Sequence, residues 1–289
     1  MKVEINAFLE QWGIFIRRPR EGENRASCSR CDHGPQDDAV AVRIECDSAT
    51  WICHRCGWTG HVSADRSTST TRLPAPAPTS IRADEKRKRD FAREIWMESG
   101  PLQGTIGEAY LNRRACAIPK PDADIRFHPS LYCVKVAGKR AAIVCRVSTA
   151  IGNRGIGIHR LFLDPAGADR AIAKMRLGGC DEPVCIRLFA DEDVTNSLAI
   201  AEGIETALSA AHLHAPVWSA LDAGNLARFP VLPGIESLLI FADHDLVGLA
   251  AARTCAERWE GAGRRVTAVT TSKSGADIND VVREALDAA

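Results

Sequence analysis

After residue 197 short apolar runs alternate with helical stretches, and this alternation constrains the fold more than any other feature of the sequence. LAIA (198–201), PVWSAL (216–221), SLLIFAD (237–243) and RVTAVTT (265–271) are strand-length runs rich in β-branched or apolar residues. GIETALSAAHL (203–213) reads as a helix with Ile204, Ala207, Leu208 and Ala211 on one face. The helix after SLLIFAD sets Leu249, Ala252, Ala256 and Trp259 on one side, and DINDVVREAL (277–286) closes the chain as a helix. Continuous apolar strands alternating with helices predict a parallel sheet covered on both faces.

Upstream the pattern changes. Phe91, Ile95 and Trp96 recur at helical spacing, and Gly100-Pro101 stops the run. A second short helix is expected over Ile106–Arg114, and Ile125 to Leu163 reads as strands. Ser63–Arg82 is rich in Ser, Thr, Pro and Ala and lacks large apolar residues, so it reads as a linker. The expected organisation is a cysteine-containing β module over 1–62, a linker over 63–82, a basic α+β part over 83–196, and the parallel-sheet domain over 197–289. The fold class is therefore α/β overall.

The chain has 289 residues, 45% hydrophobic and 26% charged, which suits a globular protein with a buried core. No apolar run reaches the ~18 residues needed to span a bilayer. MKVEINAFLEQWG carries acids and lacks an apolar signal core, so a cytoplasmic location is expected. The zero net charge conceals a gradient. Residues 82–180 hold nineteen Lys/Arg against ten Asp/Glu, and residues 181–289 hold eight against seventeen. Such a division fits a protein that binds a polyanion with one part and divalent cations with another; chance clustering of solvated charges is the plain alternative.

Eleven cysteines in a chain without a signal peptide are expected to be thiols or metal ligands. Cys28-Ser-Arg-Cys31 and Cys53-His-Arg-Cys56 form two C-x2-C pairs, a spacing that can place four thiolates around one structural Zn²⁺. AVAVRIEC and TWICH between and around the pairs look like ribbon strands. Cys46, His33, His54 and His61 are substitute ligands of lower rank. Trp51, Trp58, Arg30, Arg43 and Arg55 either stack on and contact single-stranded nucleic acid or, for the tryptophans, form the module's small core.

In a parallel sheet, ligand sites lie beyond the strands' carboxyl ends. Glu202 follows LAIA, Asp243 and Asp245 follow or close SLLIFAD, and Asp277 and Asp280 follow RVTAVTT. These carboxylates are expected to converge and hold Mg²⁺ or Mn²⁺, which bind phosphate oxygens in turn.

Ala201-Glu202-Gly203-Ile204-Glu205-Thr206-Ala207 and Ala242-Asp243-His244-Asp245-Leu246-Val247-Gly248 resemble the two signature motifs of the Toprim domain. That domain is shared by primases, topoisomerases, nucleases and a recombination mediator. Asp277-Ile278-Asn279-Asp280 resembles the motif that closes the Toprim domain of phage and plasmid primases. The segments around Glu94, Tyr110, Arg160 and Met175 resemble the part that precedes it. The resemblance implies a DNA primase that synthesises short RNA primers on single-stranded DNA from nucleoside triphosphates. Glu202, Asp243 and Asp245 would be catalytic, and with Asp277 they would bind magnesium. Glu202 would act as general base or metal anchor. The zinc ribbon would engage the template, and Arg146, His159, Arg160, Lys174 and Arg176 would contact nucleotide or DNA. No G-x-x-x-x-G-K-[ST] loop occurs, so a separate replicative helicase is the expected partner. A Toprim nuclease and a non-catalytic DNA-binding module are the alternatives.

Overall fold

The computed structural model describes residues 2–30, 38–46, 48–53, 58–63, 78–272 and 277–287. It divides into two compact units, residues 1–75 and 76–289. No described helix is long and apolar enough to cross a membrane.

The first unit joins helix α1 (Lys2–Gln11) to an antiparallel sheet of β1 (Gly22–Ala26), β2 (Val40–Glu45), β3 (Ser48–Cys53) and β4 (Thr59–Ser63), in that order. Strand alternation sends Val40, Val42, Ala49, Trp51 and Cys53 to one face, where Ile5 and Leu9 of α1 cover them. Trp51 packs edge-on against Trp58, with ring centroids 5.7 Å apart, and both are buried. Gly60 makes room for this: a Cβ there would sit 2.0 Å from the Trp51 ring. The two tryptophans are thus core residues and offer no face on which a base can stack. Ala26 pairs with Val40 and Val40 with Cys53, so Cys28 and Cys53, both buried, lie at the same end of the sheet. Cys31 and Cys56, with His33, His54 and Arg55, lie outside the described residues.

The second unit starts with α2 (Pro78–Glu98) and α3 (Ile106–Arg113). α2 begins inside the stretch expected as linker; proline at a helix's first position costs nothing, because that N–H has no intrahelical partner. Phe91 is exposed, and Ala92 and Ile95 make the helix's contact with the sheet. That sheet is antiparallel, with β5 (Ile125–Cys133), β6 (Gly138–Thr149), β7 (Gly155–Phe162) and β8 (Ala173–Gly178) in order and β9 (Val184–Cys185) beside β6. Its two faces are both buried. Ala142, Val144, Ile158 and Phe162 face α2, while Ile143, Cys145 and Leu161 join the core shared with the residues after 197.

The remaining elements are β10 (Ser197–Ala201), α4 (Ile204–Ala210), β11 (Val217–Ser219), α5 (Ala223–Arg228), β12 (Ser237–Phe241), α6 (Leu246–Gly261), β13 (Arg265–Val269) and α7 (Ile278–Asp287). The strands form a parallel sheet in the order β11-β10-β12-β13. Leu198, Ile200, Leu238 and Ile240 face α5 and α6, while Ala199, Ala201, Leu239 and Phe241 face the other core with α4 and α7. A strand apolar at every position is what two covered faces require. All seven residues of α4 are buried, not one stripe of them, because the sheet lies under it and α7 and the chain after α3 close over it.

Candidate active site

Register sets the site. Ala201 pairs with Phe241 and Phe241 with Val269, while Ala201 also pairs with Ser219. Four strands therefore end level at one rim; Asp222, Glu202 and Asp243 with Asp245 follow closely on three of them, and Asp277 comes eight residues after the fourth. A cleft of about 350 Å³ opens there, lined by Glu202, Asp243 and Asp277 and facing Arg114, His159, Lys174 and Glu205.

The acids do different work. Asp222, Asp245 and Asp277 stand at helix N-termini, where unsatisfied N–H groups and the helix dipole favour a carboxylate. Asp222 Oδ1 accepts from the Asn225 N–H at 2.8 Å and Asp245 Oδ1 from the Gly248 N–H at 2.7 Å. Asp277 Oδ1 accepts from the Asp280 N–H at 2.9 Å while Asp280 reaches back to the Asp277 N–H, a reciprocal cap. Among the described residues Asp243 caps nothing, and its buried Oδ1 has no hydrogen-bond partner. Gly248 lets α6 approach it: a Cβ there would lie 2.7 Å from the Asp243 carbonyl oxygen.

Crowding shows in the electrostatics. Burial, then the charges of Asp243, Asp245 and Asp222, pushes Glu202 up to about 7. Burial, then Asp277 and Asp245, pushes Asp243 up to about 6. Carboxylates that resist ionising beside one another are relieved by a shared proton or by a cation. Among the described residues no three Asp, Glu, His or Cys side chains close into a ligand set. Magnesium does not need one, since it keeps several waters and is held by one or two carboxylates plus substrate phosphates. The orphaned Asp243 oxygen beside Glu202 fits that requirement.

Opposite the acids stand cations. Lys174 Nζ lies 2.8 Å from Glu205 Oε2, and the Tyr110 hydroxyl donates to Glu205 Oε1 at 2.9 Å. Burial and the neighbouring Lys174 and Arg176 charges push His159 down to about 4, so it stays neutral at physiological pH. Arg114 is only 8% exposed; its Nε is buried without a partner, and it makes no ion pair among the described residues. Its backbone is fixed by Asn279, whose amide donates to the Arg114 carbonyl and, at 2.7 Å, to Ser209.

The sequence-predicted cations divide by strand parity. His159 and Arg176 are cross-strand neighbours, and Lys174 lies on the same face at the cleft. Arg160, adjacent to His159 in β7, points to the opposite face over the Phe162 ring, towards α2. Arg146 also faces α2 and is engaged by Asp124 at 3.0 Å and by Asn153 at 2.8 Å. The structure therefore removes Arg160 and Arg146 from the acid cleft. It adds Arg114 and Glu205 to the cleft and sets the charge of Asp222 near Glu202, and sequence reasoning missed all three. Asp222 had a local signal, an Asp three residues before Asn225 at a strand end; Arg114 and Glu205 had none beyond their neighbours.

Residues 197–288 match the Toprim domain family, and residues 86–186 match a domain of unknown function, DUF7146. The C-terminal parallel sheet with helices on both faces is a Toprim fold. No curated protein matches the chain. Among solved structures, the chain is similar to the Aquifex aeolicus primase (zinc-binding and RNA polymerase domains) at 14% identity and a TM-score of 0.43, covering 98% of this chain and 82% of that one. It is similar to a DNA primase domain from Pseudomonas aeruginosa at 13% identity and a TM-score of 0.45, covering 70% and 77%. It is also similar to the primase fragment of the bacteriophage T7 primase-helicase protein at 12% identity and a TM-score of 0.43, covering 89% and 94%.

Proposed function

We propose that this chain is a primase, a metal-dependent nucleotidyltransferase that joins nucleoside triphosphates into short RNA primers on single-stranded DNA. The observation that carries the reading is one cleft with acids on the Toprim rim and cations across from them. Transfer of a nucleotidyl group needs charge on both sides of the phosphate: cations on its oxygens, and carboxylates to hold further cations.

In this reading Asp243 and Glu202 hold Mg²⁺ or Mn²⁺, with the remaining oxygens of Asp245 and Asp277 at the margin. When bound, the ion supplies neutralisation of the phosphate oxygens and of the leaving pyrophosphate. Arg114 offers an uncompensated guanidinium to the triphosphate, and Lys174 a compact ammonium. His159 binds without adding charge. Glu202 is a metal anchor or, where the ion rests on Asp243, the base that takes the proton of the attacking hydroxyl. Cys28, Cys31, Cys53 and Cys56 hold one structural Zn²⁺, and the N-terminal module meets the template. A separate helicase supplies the single strand.

The test is primer synthesis from labelled nucleotides on random-sequence single-stranded DNA, with Asp243→Ala as the control. Products dependent on Mg²⁺ or Mn²⁺ and lost in the variant support the proposal. Metal-dependent cleavage of DNA in their place would make the chain a nuclease. Binding of DNA with neither activity would make it a non-catalytic module.

A further inference from the structure

Lys174 is a flexible cation placed beside a group of acids, and such a side chain competes with a divalent cation. It lines the same cleft as Glu202, Asp243 and Asp277, and its charge already opposes the rise in the Asp243 pKa. An ammonium that swung onto Asp243 would occupy the position a metal needs. Something must hold it back.

Glu205 is placed to do that. Its side chain is 8% exposed, whereas that of Lys174 is 52% exposed. A buried carboxylate is costly unless it is paired. Glu205 is paired twice, to the Lys174 ammonium at 2.8 Å and to the Tyr110 hydroxyl at 2.9 Å. Tyr110 is itself fully packed in the core on α3, so it fixes one oxygen of Glu205 and turns the other towards Lys174. Glu205 comes from α4, two residues beyond Gly203 and on the far side of Glu202 from the strand. Three elements thus define where the ammonium sits: β8 carries it, α4 grips it, and α3 braces the grip.

We propose that Glu205 is a positioning residue that tethers Lys174 away from the rim acids, leaving them open to a divalent cation and the ammonium facing incoming phosphate. The inference rests on the metal-binding reading of the rim. Its measurable content is a coupling. Losing the Glu205 charge also weakens cation binding through simple loss of a nearby negative charge, and without Lys174 the buried Glu205 tends to take up a proton, so the seat of Lys174 in the crystal structure of Glu205→Gln decides between tether and bare charge. If Glu205 is a tether, the loss is larger while Lys174 is present to invade the acids, and smaller once Lys174 is gone.

The experiment is a double-mutant cycle on the full chain, with Mn²⁺ binding followed by electron paramagnetic resonance. Glu205→Gln, Lys174→Met and the double variant are compared with the parent. The expected result is that Glu205→Gln weakens Mn²⁺ binding about five-fold more in the parent than in the Lys174→Met background, the range of one partly exposed ion pair. Equal factors in both backgrounds would overturn the tether. Tyr110→Phe keeps Glu205 and removes its brace; it should shift Mn²⁺ affinity in the same direction by a smaller factor, and it carries the cycle if Glu205→Gln does not fold. A crystal structure of Glu205→Gln separates this inference from the reading it rests on. Lys174 seated on Asp243 or Asp277 supports the tether, and Lys174 unmoved or turned to solvent overturns it. A parent chain that binds no Mn²⁺, together with a displaced Lys174 in the variant, would sink the metal reading and leave the tether standing.

Discussion

Replacing Asp243 by asparagine should stabilise the metal-free protein while destroying its function. The folded state raises the Asp243 pKa from 3.8 to about 6. The protein therefore binds this proton more tightly when folded, and the stability linked to it is complete below the unfolded value and is lost as pH rises through about 6. A rise of about two units corresponds to roughly 3 kcal/mol of strain at pH 8. Asparagine carries no charge, so it removes that strain and relieves Glu202 as well. It leaves a buried polar atom without a partner, which costs on the order of 1 kcal/mol. The net gain is about 2 kcal/mol, or roughly 4–8 °C in melting temperature for a unit of this size. Scanning calorimetry in EDTA at pH 8 and pH 4 reads it. The variant should melt higher at pH 8, and the gap should shrink below about 1 kcal/mol at pH 4, where the folded carboxyl is protonated and the unfolded one nearly half so. Saturating Mn²⁺ at about a hundred times its Kd should raise the parent by about 3 kcal/mol and close the gap, with little effect on the variant. A variant that melts lower at pH 8, or a gap indifferent to pH, would refute the argument that the rim is an electrostatically strained cation site.

Three further outcomes follow from the geometry. Arg114→Gln should weaken triphosphate binding ten- to a hundred-fold, the worth of one charge-assisted hydrogen bond in a sheltered site, with the melting temperature little changed; nucleotide titration by calorimetry checks it. Gly248→Ala sets a Cβ 2.7 Å from the Asp243 carbonyl oxygen, so it should lower stability by ~1–3 kcal/mol and weaken Mn²⁺ binding together, unlike a substitution that merely loosens α6. Cys53→Ser should release zinc from the first unit and cooperatively unfold it; zinc measured by atomic absorption at one per chain in the variant would show that Cys53 is not a ligand.

What the sequence made legible followed from periodicities that act locally. The strands β10 and β12 are apolar at consecutive positions because both faces of the parallel sheet are covered, and that pattern reads directly as a buried strand. The helix α6 follows a strand-end acid and begins at its N-cap Asp245, a signal contained in four residues. The helical spacing of Phe91, Ile95 and Trp96 marks α2 as a helix, but apolarity does not say where the sheet lies. Small Ala92 and Ile95 fit against β5–β8, and the bulky ring of Phe91 stayed outside. α5 escaped notice because AGNLAR has too few residues to display a period. The tryptophans of the first unit read equally well as core or as stacking surface; Gly60 decided it, by opening the volume that Trp51 fills, and a glycine's purpose is visible only once its cross-strand neighbour is known.

The site shows the same division at finer scale. Acids at strand ends were legible because a parallel sheet carries all its carboxyl ends to one rim, so chain position alone implies convergence. The roles within the set were not, because they depend on which oxygen is already spent. Asp245 and Asp277 give an oxygen to helix N-termini, while Asp243 keeps a buried oxygen unpartnered among the described residues, and sequence assigns all three to metal binding. For the cations, parity was the missing constraint. His159 and Arg160 are neighbours in sequence and opposites in space, since successive side chains of β7 face opposite sides. Registering the strand against the acids places His159, and not Arg160, at the acid cleft. Arg114 required still more: it lies 88 positions from Glu202, and only the packing of α3, α4 and α7, locked through Asn279 and Ser209, turns it into the cleft. A residue whose function depends on three helices meeting leaves no mark in its own neighbourhood, which is why the phosphate-facing half of such a cleft is harder to read than the metal-facing half.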